Sequence, residues 1–154
     1  MKKYQILIIT LVIIILQCAC KNENNYENDT ELCELLSKMT DDDQKIRNMD
    51  LLQNGTQKQK DSLWKIQKLI DGRNTELLLD ITKKRGWVSK NSLNCEKYMA
   101  PVVIFRHTPE KYFNEVKEII DKEFQNERLD GLNYEFINDH LNGRPGFNLE
   151  IIEK

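Results

Sequence analysis

A carboxylate, an amide and a guanidinium lie within one helical turn of each other in this chain. Asp43 and Arg47 are four positions apart, and Gln44 stands between them, so a helix would place Asp43 and Arg47 on one face, where they can pair. A guanidinium held in this way can bind a carboxylate or a phosphate through paired hydrogen bonds. The same spacing also suits a solvated ion pair, which contributes only about 0.3–0.5 kcal/mol. The sequence allows both interpretations.

His107 is the histidine best placed for proton transfer, because it follows an apolar segment at a predicted helix end. Imidazole titrates near neutrality, so together with Asp43 or Asp71 it could act as a general acid or base. The alternative is a structural role, in which the helix dipole stabilises the imidazolium. The second histidine, His140, lies near a polar turn and is predicted to be a surface residue.

The sequence carries no recognisable metal, cofactor or nucleophile motif. A metal centre would require His107 and His140 to converge with a carboxylate such as Asp43, Asp71 or Asp139, and no His-x-x-x-His or Cys-x-x-Cys pair supports this. There is also no glycine-rich phosphate loop and no Gly-x-Ser-x-Gly. We therefore predict neither a metal nor a cofactor.

Four short motifs follow one another along the chain. They are Asp43-Gln44-x-x-Arg47, Asp71-x-x-Asn74, Gly86-Trp87 and Arg106-His107. In this order and spacing they resemble a family of uncharacterised bacterial proteins that share Asp-Gln-x-x-Arg, Gly-Trp-Pro, Gln-His and, near the end, Asp-Arg. The resemblance covers about residues 32–147, and it departs from the family at three places: Val88 replaces Pro, Arg106 replaces Gln, and Asp139-His140 replaces Asp-Arg.

This resemblance implies a helical domain with a shared site, and it names no reaction. Three residues are the catalytic candidates: His107, Asp43 and Asp71. Five more residues are the ligand-binding candidates: Gln44, Arg47, Asn74, Trp87 and Arg106. The simplest role for Trp87 is to anchor a helix end on the core.

Helices are needed to position these residues, and apolar residues at intervals of three and four predict them along most of the chain. The first helix begins at about Thr30. Thr40 and the three acids after it resemble an N-cap, so either a second helix or a continuation of the first should reach about Gln53. Gly72 leaves open whether the following segment is one helix or two, since one Gly costs only about 1 kcal/mol. That segment should end at Gly86 after three cations.

The apolar segment from about residue 94 to residue 107 suits a buried strand or a buried helix. Pro101 disfavours a helix interior, yet the chain offers no second strand-like run, so we predict a helix. Thr108 and Pro109 are predicted to cap the next helix, and a last helix is predicted over about Leu132 to Leu141. The predicted fold is a small all-α bundle of five or six helices.

The N-terminus has the pattern of an export signal. Two lysines precede an apolar run of 11 residues from Ile6 to Leu16. A secretory signal has an apolar core of roughly 7–15 residues, whereas a spanning helix needs about 20. We therefore predict a signal peptide over residues 1–19.

The signal ends at Gln17-Cys18-Ala19-Cys20, which resembles a bacterial lipobox. The small Ala19 favours cleavage before Cys20, and Cys18 is the alternative. Acyl chains on Cys20 would anchor the protein to a bacterial membrane, which predicts a location at the cell envelope. Residues 20–29 are predicted to be a flexible spacer and residues 30–154 one helical domain.

The net charge and the cysteines limit the classes of partner that we expect for this protein. Without Lys2 and Lys3 the mature chain has an excess of four acidic groups, and its basic residues are interleaved with acids, which argues against nucleic acid. Cys33 and Cys95 remain as thiols that either form a disulfide or lie apart as small core residues. The partners we expect are the membrane, through the lipid anchor, and an envelope protein or a small ligand.

Two functions follow from these observations. The favoured one is a non-enzymatic lipoprotein domain that binds a protein or a small ligand. The alternative is a small envelope hydrolase that uses His107 with Asp43 or Asp71, and Arg47 as an anion clamp.

Substitution of the predicted lipidation site tests the anchor. We expect Cys20→Ser to abolish palmitate incorporation and to release the protein from the membrane fraction, because the acceptor sulfur is lost. Metabolic labelling and fractionation measure both effects, and Cys18→Ser is the matched control that should keep both. Unchanged labelling of the Cys20→Ser protein would contradict the prediction.

Overall fold

A computed structural model of the protein describes residues 26–47, 49–93, 95–146 and 149–152. The predicted signal peptide, Cys18, Cys20 and residues 20–25 of the predicted spacer lie outside the described residues. In the described part no strand occurs, and the α-helices are α1 (Asp29–Ile46), α2 (Met49–Asn54), α3 (Gln57–Arg85), α4 (Ala100–Phe105), α5 (Phe113–Gln125), α6 (Gly131–Leu141) and α7 (Leu149–Ile152). The predicted all-α fold is confirmed. None of these helices combines the length and apolar character that crossing a bilayer requires.

The longest helix is α3, with 29 residues. It begins with a capping box, in which Thr56 accepts from the backbone of Gln59 while the Gln59 side chain accepts from the backbone of Thr56. It passes through Gly72 without a break and ends at Gly86, whose φ of 89° suits glycine. The segment around Gly72 is thus one helix rather than two, and the predicted end at Gly86 is confirmed.

The core forms where α1 and the second half of α3 pack around α4, with α5 and α6 on the other side. Each of these helices except the short α4 turns one apolar stripe inward, and α4 is buried almost completely. Seven apolar side chains in the core have no exposed surface: Leu36, Leu78, Ile81, Phe105, Val116, Ile120 and Ile137. The apolar segment before His107 is therefore helical as predicted. Its helix is shorter than predicted, because Pro101 lies in the first turn, where proline is tolerated.

Two threonines that resemble helix caps have other partners. Thr40 lies inside α1, where its hydroxyl donates to the carbonyl of Leu36 at 2.8 Å, so the helix continues through it and ends only at Ile46. The prediction that Thr108 caps the next helix is wrong. Its hydroxyl is buried against that of Thr75 at 2.7 Å, and a 3-10 turn at Glu110–Tyr112 leads into α5 instead.

The packed domain begins earlier than the predicted residue 30. Tyr26 is buried, and its hydroxyl donates to Asp80 on α3 at 2.7 Å. Arg85 also donates to the backbone carbonyl of Tyr26. The last part of the predicted spacer is thus attached to the second half of α3.

A disulfide joins Cys33 of α1 to Cys95, which lies before α4. The two Cα atoms are 6.2 Å apart, within the range that disulfides span. This answers the question that the sequence left open about the two thiols.

Removal of this cross-link should destabilise the domain. The bridge closes a loop between residues 62 positions apart, so the chain-entropy model gives a loss of about 4 kcal/mol in the free energy of unfolding for Cys33→Ser. Denaturant unfolding with and without a reductant measures this loss. The reductant should lower the free energy of unfolding of the wild type and leave that of the Cys33→Ser variant unchanged. If the reductant does not change the free energy of unfolding of the wild type, the bridge contributes nothing to stability.

Candidate functional site

Two helices and the turn after α4 bring four of the predicted residues together. Asp43 lies on α1, one turn beyond the buried Met39, so it ends the apolar stripe of that helix. Arg47 is the C-cap of α1, Asp71 lies on α3, and His107 follows α4. The ion-pair distances within this group are 2.9–3.0 Å. We call these four residues the Asp43 cluster.

The carboxylate of Asp43 is buried and fully occupied by donors. Arg47 donates from Nε to Oδ2 at 3.2 Å and from Nη2 to Oδ1 at 2.9 Å, and Gln44 donates to Oδ2 at 2.6 Å. His107 Nδ1 lies 3.0 Å from Oδ1. Burial by itself raises the pKa of Asp43, but the hydrogen bonds from His107 and Arg47 outweigh it and hold this pKa well below its usual range. Asp43 is therefore ionised at neutral pH.

This ionised partner sets the tautomer of His107. A carboxylate only accepts hydrogen bonds, so Nδ1 must carry the proton and donate it. In the neutral imidazole Nε2 is then the basic nitrogen, and no described residue hydrogen-bonds to it. The side chain is about one fifth exposed. His107 thus has the orientation that a general base needs.

Asp71 has the opposite electrostatic environment. It accepts from Arg47 Nη2 at 2.9 Å and from Gln67 Nε2 at 2.7 Å. Burial raises the pKa of Asp71; the nearby charge of Asp43 adds to this, while the contacts with Gln67 and Arg47 oppose it. The two carboxylates therefore have pKa values shifted in opposite directions, a pattern that is common where groups exchange protons.

Arg47 donates to the carboxylates of both Asp43 and Asp71, and this affects whether the site can bind a metal ion. The ligand atoms of Asp43, Asp71 and His107 lie within 4.8 Å of one another, a spacing that a metal ion could bridge. Arg47 Nη2, however, already donates to both carboxylates at 2.9 Å. A metal ion would have to displace this cation, so the built-in counter-charge of the cluster is Arg47.

Gln67 belongs to the site and was not predicted. Its side chain is buried, Nε2 binds Asp71, and Oε1 has no partner among the described residues. The sequence does contain a signal, because Gln67 falls four residues after Leu63 and three before Ile70 on the inward stripe of α3. A polar residue on an apolar stripe usually has a specific partner.

The cluster borders a cleft of about 650 Å³ between α3 and the segment that follows His107. His107 and Asp71 both contribute to its wall. The other lining residues are mostly polar and carry both signs of charge: Lys68, Leu69, Gly72, Arg73, Glu76, Pro109, Glu110, Lys111 and Tyr112. Arg73 pairs with Asp42 at 2.6 Å, whereas no described acid pairs with Lys68. The site is therefore a cleft lined largely by charged residues, with an imidazole and a carboxyl group at its edge.

Three of the ligand-binding candidates have their contacts elsewhere. Asn74 is buried and donates to the carbonyl of Met39 at 2.9 Å, which ties α3 to α1. Trp87 is buried against Phe105, with ring centroids 6.2 Å apart. Arg106 donates to the carbonyl of Phe136 at 3.0 Å. The structure thus brings Gln44 and Arg47 to Asp43 and gives these three residues other contacts.

His140 is not the surface residue that the sequence indicates. It is half-buried, and its Nε2 donates to the carbonyl of Thr108 at 2.8 Å, since a carbonyl can only accept. Burial lowers the pKa of His140. It supports the segment that follows His107, and it is not part of the Asp43 cluster.

No protein-family model, curated protein or solved structure matches the chain. The resemblance drawn from the four motifs therefore stays a prediction.

The shifted pKa of Asp43 makes a prediction about acid stability. Its folded pKa lies below the unfolded value of about 3.9. The stabilisation is therefore present above about pH 4 and is lost as the pH falls towards the folded pKa. At pH 7 we expect Asp43→Asn to lower the free energy of unfolding by about 3 kcal/mol, because Arg47 and His107 lose a buried partner. Denaturant unfolding between pH 2.5 and pH 7 should show this difference shrinking below about pH 4.

Asp42→Asn is the matched control on the same helix. Asp42 pairs with Arg73 at a partly exposed position, where an ion pair contributes at most about 1 kcal/mol. An Asp43→Asn protein as stable as wild type at pH 7, or a difference independent of pH, would contradict the role given to Asp43.

Proposed function

We propose that this protein is a bacterial lipoprotein whose helical domain is held at the cell envelope by acylated Cys20 and binds a small polar ligand beside the Asp43 cluster. The observation that carries the binding role is the cleft of about 650 Å³ with His107 and Asp71 in its wall. Binding sites for small molecules have volumes of roughly 300–1,000 Å³. The binding groups are held in place because Asp43 and Arg47 fix both of them.

The disulfide supports the envelope location. A bond between Cys33 and Cys95 persists in exported proteins and is rare where cellular thiols keep cysteines reduced. It agrees with the export signal at the N-terminus and is independent of it.

The lining charges indicate the kind of ligand. Lys68 has no acidic partner among the described residues, and His107 Nε2 is free of hydrogen bonds within the same part of the chain. Protonated imidazole and ammonium groups bind anions through charge-assisted hydrogen bonds. We therefore expect a small ligand with a carboxylate or phosphate group.

A second function, hydrolysis, is favoured by one specific observation. Asp43 Oδ1 lies 3.0 Å from His107 Nδ1, so the imidazole is oriented in the way a carboxylate orients a catalytic histidine. Nε2 could then remove a proton from a water molecule in the cleft as that water attacks an ester or amide carbon. Asp71, with its raised pKa, is the candidate proton donor to the leaving group.

His107→Gln separates the two functions. The purified lipoprotein in detergent is tested with acetate, inorganic phosphate and free amino acids by thermal shift, and with p-nitrophenyl acetate and p-nitrophenyl phosphate by absorbance. For the binding function we expect a rise in Tm with at least one of the first three probes, weakened by the substitution. For the hydrolase we expect turnover that falls at least about 100-fold in His107→Gln.

His140→Gln is the control, because His140 lies outside the cluster and a glutamine amide can still donate to the carbonyl of Thr108. It should retain the ligand response or the turnover of the wild type. A wild type that responds to none of these probes, or a His107→Gln protein that responds as the wild type does, would contradict a function at this cleft.

A further inference from the structure

The first half of α3 exposes large apolar side chains to solvent. Between residues 57 and 70 the only buried residue is Gln67. Leu69 is 74% exposed, Trp64 48% and Ile66 44%. Exposure of one such side chain is ordinary, but several of them on one short stretch of helix indicate an interaction surface.

The same stretch is basic, although the mature chain is acidic overall. Residues 57–70 contain four lysines and a single acid, Asp61. Three of the lysines are exposed and have no acidic partner among the described residues: Lys58, Lys65 and Lys68. The local charge is therefore positive and available to a partner of opposite charge.

Helical geometry places these two kinds of side chain side by side. At 3.6 residues per turn, Trp64, Leu69 and the three lysines fall within an arc of about 140°, together with Asp61, and this arc points away from Gln67. We call it the outward α3 face, with Trp64, Leu69, Lys58, Lys65 and Lys68 as its members. The lysines lie between Trp64 at one edge of this arc and Leu69 at the other, and lysine stems can reach along apolar surface to a charged layer.

We propose that the outward α3 face lies against an anionic membrane surface. Trp64 and Leu69 insert at the level of the headgroups, and the three lysines bind lipid phosphates. This is a second membrane contact beside the acyl anchor. It takes its biological setting from the proposed envelope location, but the contact itself needs no acylation.

The geometry of the tether agrees with this contact. The described part of the chain begins at Tyr26, which packs on Asp80 of α3. Asp80 is 16 residues beyond Trp64, or about 24 Å along the helix. Tyr26 is six positions after Cys20, and such a stretch reaches at most about 20 Å. An anchor near one end of α3 and an insertion near the other can therefore reach one bilayer.

The contact would also set the position of the cleft. Lys68 and Leu69 belong to the outward α3 face and to the wall of the cleft. The cleft would thus open next to the headgroup layer.

Depth-dependent quenching of Trp64 tests the proposal. The mature lipoprotein with Trp87→Phe, which leaves Trp64 as its only tryptophan, is reconstituted into vesicles of phosphatidylethanolamine with 30% phosphatidylglycerol, or of phosphatidylcholine alone. Brominated lipids should quench Trp64 and shift its emission to the blue in the anionic vesicles. The effect should be weak in the neutral ones and in 0.5 M NaCl, because the lysine contacts are screened.

Charge reversal supplies the matched comparison. Lys58→Glu, Lys65→Glu and Lys68→Glu combined should remove most of the quenching, while the equally exposed Lys38→Glu, Lys90→Glu and Lys122→Glu combined should leave it intact. Equal quenching in both triple variants, or none in the wild type, would overturn the proposal. A blue shift that depends on protein concentration without lipid would also overturn it, since the face would then bind a second copy.

The same experiment tests the acyl anchor on Cys20 separately. Co-flotation with neutral vesicles reports the acyl chains alone, so a protein that does not float there lacks the anchor. Quenching in anionic vesicles still reports the outward α3 face in that case.

Discussion

The burial of one carboxylate, that of Asp43, determines how the site is assembled. An ionised group without partners in a protein interior costs several kcal/mol, so Asp43 requires donors from its surroundings. They come from its own helix through Arg47 and from the turn after α4 through His107. Arg47 extends the network to Asp71 on α3. Three separate parts of the chain therefore have to meet before this charge is tolerated, and the resulting geometry is the candidate site.

Sharing one guanidinium gives the two carboxylates different properties. Asp43 has both oxygens bound and is the lower-pKa partner, whereas Asp71 is bound on one oxygen and has a raised pKa. Like charges held close together favour protonation of one of them. Asp71 therefore takes up a proton at a higher pH than Asp43 does, while Asp43 stays charged and keeps the imidazole of His107 in one tautomer. This difference between the pKa values of Asp43 and Asp71 applies whether the cleft binds a ligand or performs hydrolysis.

Local sequence patterns predicted the helices and one half of the site. Apolar spacing identified α1, α3, α5 and α6, and the spacing of Asp43 and Arg47 predicted their ion pair. Local patterns did not predict the role of Thr108, because its hydroxyl binds Thr75, a residue 33 positions away. The convergence of His107 and Asp71 with Asp43 is likewise a long-range result of packing; the sequence offered it only as a hypothesis. Periodicity also identified α3 as a helix without showing that the core covers mainly its second half.

The continuity of α3 links its three parts mechanically. Its second half is core, its middle carries Asp71 and Gln67, and its first half carries the outward α3 face. Because Gly72 does not interrupt the helix, the orientation of the first half fixes the direction in which the cleft opens. A break at Gly72 would have uncoupled the two, since a hinge absorbs backbone rotation at a few residues. If the first half rests on a bilayer, the cleft and the side chains of Asp71 and His107 are held at a constant height above it. The distance from the membrane is then set by the fold itself, and the residues between Cys20 and Tyr26 serve only to keep the protein near the surface.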